Sequence, residues 1–156
     1  MRVVLIGLVA VALTACGARF SKSPTAAEIR SQGHSRFVGW SDVIQAIESS
    51  EELHEHFFGH ICTGSEEWLK VAREIQTDSG AAHFSEEISS AAAAALPTSP
   101  EQVLRVFGSD ACLRPEEVPS TCSVENWKER SLAALASVGP ELKSVASACA
   151  ENVRGY

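Results

Sequence analysis

From residue 40 to the end of the chain, apolar positions recur with a helical period. Trp40, Val43, Ile44 and Ile47 fall at i, i+3, i+4 and i+7, with Ser41 as the expected N-cap. Ser49, Ser50, Glu51 and Glu52 read as a capping box, Ser49 reaching forward and Glu52 back. The helix it opens carries Leu53, Phe57 and Ile61 on one face, and Gly64 ends it. Ser65 caps the next helix, where Trp68, Val71, Ala72 and Ile75 repeat the spacing. Glu66 and Glu67 occupy its first turn, where carboxylates favour the helix dipole. Glu66 with Lys70, and Lys70 with Glu74, are i,i+4 pairs on its wet face. Beyond the Asp78-Ser79-Gly80 break, residues 81–96 predict an alanine-rich helix. Its stripe of Phe84, Ile88, Ala91, Ala92 and Ala95 is narrow enough to admit a neighbouring helix, so residues 91–95 read as core. Pro97 stops it. Ser99 at the N-cap, Pro100 at N1 and Gln102 at N3 start another helix, with Val103, Leu104 and Phe107 buried and Gly108 closing it.

Residues 109–121, with Pro115 and Pro119, form the one long irregular stretch of this region. Val124, Trp127, Ser131, Leu135 and Val138 then mark a helix, and Gly139-Pro140 makes a stop and restart. Leu142, Val145, Ala146, Cys149 and Val153 are the face of the last helix. No segment alternates with period two for long enough to make a strand. The pattern predicts an all-α domain over residues 39–156, an irregular bundle of about six or seven short helices. A short solenoid of helix pairs is the alternative topology.

The first 38 residues read differently. Arg2 precedes an apolar run over residues 3–13, about the length of a signal h-region and too short to span a bilayer. Leu13-Thr14-Ala15-Cys16 closes that run with two small residues and a thiol. The sequence resembles the lipobox of bacterial lipoproteins. The resemblance implies cleavage after residue 15, a lipid anchor on Cys16 and, with Gly17 following, sorting to the periplasmic face of the outer membrane. A plain secretory signal is the rival reading. Residues 16–38 show little periodicity and predict a flexible tether, with a helical turn near residues 26–30. About 20 disordered residues reach roughly 25 Å. Trp68-Leu69, Ala95-Leu96-Pro97 and the run from Pro100 to Leu104 are also similar to a scattered pattern in small, exported, uncharacterised helical proteins of proteobacteria, a likeness that implies no activity.

The chain of 156 residues has net charge −7, and removal of residues 1–15 would take away Arg2 alone, leaving −8. An acidic surface argues against nucleic acid and against electrostatic docking on anionic lipid, and admits a basic protein partner. With Cys16 lipidated, Cys62, Cys112, Cys122 and Cys149 make an even count, which in an oxidising compartment reads as two disulfides. An antiparallel fold of the last two helices about Gly139-Pro140 would pair Cys122 with Cys149, leaving Cys62 with Cys112. The rival pairing is Cys112 with Cys122 and Cys62 with Cys149.

Candidate chemistry is sparse. Glu52, His56 and His60 share a helix stripe and are candidate metal ligands, since imidazole and carboxylate suit zinc or nickel. Glu52 and His60 would lie about 12 Å apart along the axis, a poor fit to one ion. Gly33-His34-Ser35 lacks the second glycine of a hydrolase nucleophile elbow, Phe37 standing in its place. The paired glutamates are explained by capping and solvation, and no cofactor motif is present. The expected function is therefore a non-enzymatic binding lipoprotein. An inhibitor or immunity protein against a cell-envelope-directed toxin is one form of it. A structural envelope lipoprotein, or a metal-binding protein using the histidine helix, are the alternatives. The expected contact surface is the helix over residues 54–62 with the irregular stretch over 109–121. It is represented by Glu55, His56, Glu116 and Glu117, because loops on a rigid scaffold commonly carry recognition.

Overall fold

The computed structural model describes residues 17–78, 80–116, 118, 120 and 122–156. All the regular structure among them is helical, as the periodicity predicts. The helices are α1 (Ala26–Gly33), α2 (Trp40–Glu48), α3 (Glu51–Cys62), α4 (Glu66–Asp78), α5 (Ala82–Ala95), α6 (Pro100–Phe107), α7 (Trp127–Ala136) and α8 (Lys143–Gly155), with short 3-10 turns at Gly108–Ala111 and Pro140–Leu142. None of them is long and apolar enough to cross a membrane.

The packed domain begins earlier than residue 39. Thr25 and Glu28 form a full capping box, the Thr25 side chain accepting from the Glu28 N–H and the Glu28 carboxylate accepting from the Thr25 N–H at 2.6 Å. The helix they open, α1, buries Ala26 and Ile29 against α2 and α4. Eight residues with so weak an apolar stripe could not hold a helix alone. Tertiary contacts hold it: Arg30 Nε donates to Glu74 at 2.9 Å, and a Cβ on Gly33 would meet the Trp40 ring at 2.4 Å. Glu74 is thus engaged by α1, and among the described residues Lys70 pairs only with Glu66, at 2.6 Å. Two caps also move. Gly39, with φ of +110°, precedes α2 where Ser41 was expected, and Ser50 rather than Ser49 caps α3, accepting from the Leu53 N–H at 3.3 Å.

Helix α5 is the centre. Phe84, Ile88 and residues 91–96 are buried, and α3, α4, α6 and the first 3-10 turn all pack on it. The alanine stripe permits that close approach. Phe57 and Phe58 of α3 meet Phe84 at ring-centroid distances of 5.9 and 5.4 Å, and Trp68 of α4 joins Phe57 at 5.8 Å. Trp127 plugs the far end, its indole N–H donating to the Ala93 carbonyl at 2.7 Å in the last turn of α5. The same carbonyl also accepts from the Leu96 N–H at 3.1 Å, at the C-cap of α5.

Two disulfides form, Cys62–Cys122 and Cys112–Cys149, with Cα atoms 5.4 and 5.0 Å apart. Neither expected pairing is correct. Helices α7 and α8 do pack together, but Cys149 lies midway along α8 and faces the Gly108–Ala111 turn, which delivers Cys112. Anchoring of Trp127 on α5 carries the preceding chain to the end of α3, where Cys62 waits. The bridges close loops of 60 and 37 residues, each worth about 4 kcal/mol in the chain-entropy account.

Candidate functional site

The polar face of α5, opposite its alanines, forms the floor of a groove of about 540 Å³. Glu86, Glu87 and His83 come from α5, Gln76 from α4, and Arg114 and Glu116 from the segment after Cys112. Sequence spacing explains the floor: Ser85 and Ser89, and His83 and Glu87, are one turn apart on one helix face.

Each wall is fixed by hydrogen bonds. His54 of α3 meets the Glu87 carboxylate at 3.2 Å, both side chains half-buried. Gln76 donates to the Ser89 hydroxyl at 2.7 Å and the Ser85 carbonyl at 3.1 Å, while its own oxygen accepts from Arg73 at 2.6 Å. Arg73 also reaches Asp110 at 2.9 Å, so hydrogen bonds link α4, α5 and the 3-10 turn. Ser90, 5% exposed, donates to the Glu116 carbonyl and accepts from the Glu116 N–H at 2.6 Å. This reciprocal pair pins the loop to the helix.

The serine hydroxyls of the groove are directed to main-chain carbonyls, Ser85 to Ala81 at 2.9 Å and Ser89 to Ser85 at 3.0 Å. A ligand therefore meets carboxylates, with Arg114 and the His83 imidazole beside them. The three glutamates make the groove acidic, and held donors and acceptors favour recognition because little ordering remains to be done on binding.

The structure divides the expected contact surface. The Cys62–Cys122 bridge does bring the end of α3 to the irregular stretch. Glu116 lines the groove, held on Ser90, while His54 does not line it and reaches it only by its contact with Glu87. His56 is two residues on and faces elsewhere: its Nε2 donates to the Pro24 carbonyl at 2.9 Å, and its ring meets those of His60 and Trp68 at 4.7 and 5.3 Å. Glu55 is exposed on α3 and does not line the groove. Glu117 and Cys16 lie outside the described residues.

The candidate metal ligands have other partners. Glu52 pairs with Lys22 at 3.3 Å, and His56 with Pro24. His60 stacks on Trp68, centroids 4.8 Å apart with rings nearly parallel. Burial, and then the neighbouring His56, hold the His60 imidazole below its ordinary value of 6.5. Among the described residues, no three of His, Cys, Asp or Glu converge as a metal site would require.

Sequence reasoning missed Gln76, Glu87 and Ser90. The polar spacing of α5 was a usable signal for Glu87, but Ser90 acquires its role from a loop 26 residues away. Comparison with known proteins returns no matching family model, no matching curated protein and no matching solved structure.

Proposed function

We propose that this protein is a lipid-anchored lipoprotein of the bacterial envelope that binds a basic protein partner, without catalysing a reaction, through the acidic groove along α5. The observation that carries the reading is the groove: Glu86, Glu87 and Glu116 line a concavity whose walls are locked by His54, Gln76 and Ser90. Net charge −7 would draw a basic partner in over long range. The lipobox-like Leu13-Thr14-Ala15-Cys16 supports the anchor and the periplasmic, outer-membrane location. Inhibition or neutralisation of a cell-wall-directed toxin fits a tethered, rigid, acidic module of this kind.

The test is capture from envelope extract with the Cys16→Ser chain, followed by titration of the captured protein. Glu87→Gln and Glu116→Gln should each weaken binding about tenfold at low salt. Added salt should slow association, and His56→Ala should change nothing. Binding indifferent to both glutamates removes the groove from the account. The absence of any saturable partner favours a structural role.

A further inference from the structure

The negative charge of the chain is unevenly placed. Residues 17–40 hold four cations, Arg19, Lys22, Arg30 and Arg36, against Glu28 alone, while residues 41–156 hold eight cations against nineteen carboxylates. The chain is therefore basic where it enters the domain and acidic beyond.

The fold gathers that basic end into one corner. The Gln32 side chain brackets the Arg19 backbone, accepting from its N–H at 3.1 Å and donating to its carbonyl at 2.6 Å. The Gln32 carbonyl accepts from the Ser35 N–H at 3.0 Å and the Gly39 N–H at 3.3 Å, closing the α1–α2 loop. Arg19, Arg36 and Phe37 are thus held around one residue. Phe37 is 75% exposed, the most exposed large apolar side chain among the described residues. Arg19 and Arg36 are exposed and have no ion-pair partner among the described residues. Nearby carboxylates are mostly engaged: Glu28 in its capping box, Glu52 with Lys22, Glu74 with Arg30 and His34, leaving Asp42 in the first turn of α2.

We infer that this corner docks on the surface of an anionic lipid bilayer, Phe37 entering the interface and Arg19 and Arg36 meeting lipid phosphates. The inference rests on the anchor reading in one respect, that a bilayer is within reach. Arg19 is three residues from Cys16, at most about 11 Å of extended chain. An exposed aromatic beside free cations suits a headgroup layer, which offers an apolar boundary and negative charge together. The domain then lies on its membrane instead of ranging from it, although its total charge would oppose that contact.

The probe is the full chain carrying Phe37→Trp, reconstituted in vesicles of phosphatidylcholine with or without phosphatidylglycerol, with bromine-labelled lipid as quencher. The three native tryptophans, all buried, set the background. The account expects quenching of the new tryptophan above that background, stronger with phosphatidylglycerol. Arg19→Gln and Arg36→Gln should each lower the docked-to-free ratio about fivefold, with circular dichroism unchanged. Quenching at background level overturns the inference, as does quenching indifferent to both the anionic lipid and the arginines. A blue shift produced by envelope protein but not by vesicles also overturns it and assigns the corner to a protein contact. Failure of the anchor itself is read separately, by fractionation of Cys16→Ser, which should leave the membrane fraction.

Discussion

His60 shows how a single side chain is set by its neighbours. Stacked on Trp68 and close to His56, its imidazole is held below its ordinary value of 6.5, by burial first and by His56 second. The unfolded chain then binds more protons than the folded one as pH falls through 6.5 toward the folded value. The stability His60 contributes is complete above that window and is lost below it. The urea midpoint should fall between pH 7.5 and pH 5.5, and the fall should be smaller in His60→Gln. An equal fall in both would remove His60 from the acid response. The i,i+4 placement of His56 and His60 was legible in the sequence. Their pairing with Trp68 and Pro24 was not, because it depends on how α4 and the segment before α1 pack on α3. Gly33 illustrates the same limit: the sequence places it in the expected tether, and the fold makes it the last residue of α1, with the Trp40 ring against it.

At the scale of elements, α5 was half legible. Its small-residue stripe predicted a buried helix, and Phe84, Ile88 and residues 91–96 are buried. Its polar face looked solvated because the chain that covers it comes from beyond Cys112. Ser90→Ala tests that cover. It removes both hydrogen bonds to Glu116 and leaves a backbone N–H without its partner, a loss of about 1–3 kcal/mol. Amide exchange should quicken over residues 113–116 while α3 and α4 keep their protection. Unchanged exchange in the loop would show that Ser90 does not hold it. Helix α1 was nearly illegible for the opposite reason: its hydrophobic face is two residues wide, and α2 and α4 supply what the local sequence lacks.

The whole molecule depends on where its covalent links fall. Four cysteines announced two disulfides, but the pairing follows from the Gly108–Ala111 turn, which has no period to read, and from the Trp127 anchor, whose partner on α5 the helical period does not name. Peptide mapping without reduction should recover Cys62 with Cys122 and Cys112 with Cys149. Removing the second bridge by Cys112→Ala with Cys149→Ala should cost about 2–4 kcal/mol and expose amides of α7 and α8 before those of α5. Uniform exposure would mean that the α7–α8 pair is held to the core by packing alone. These bridges and the Ser90 clasp keep the groove formed before any partner arrives, and the binding account rests on that rigidity. Photo-crosslinking in the intact producing cell tests it most directly, with a benzophenone amino acid at Glu86 on the groove or, as control, at Ser147 on α8. The account predicts a discrete adduct with a basic envelope protein from position 86, lost when Glu87 and Glu116 are both changed to glutamine, and none from position 147. No adduct at position 86, or one that survives the double change, would contradict it.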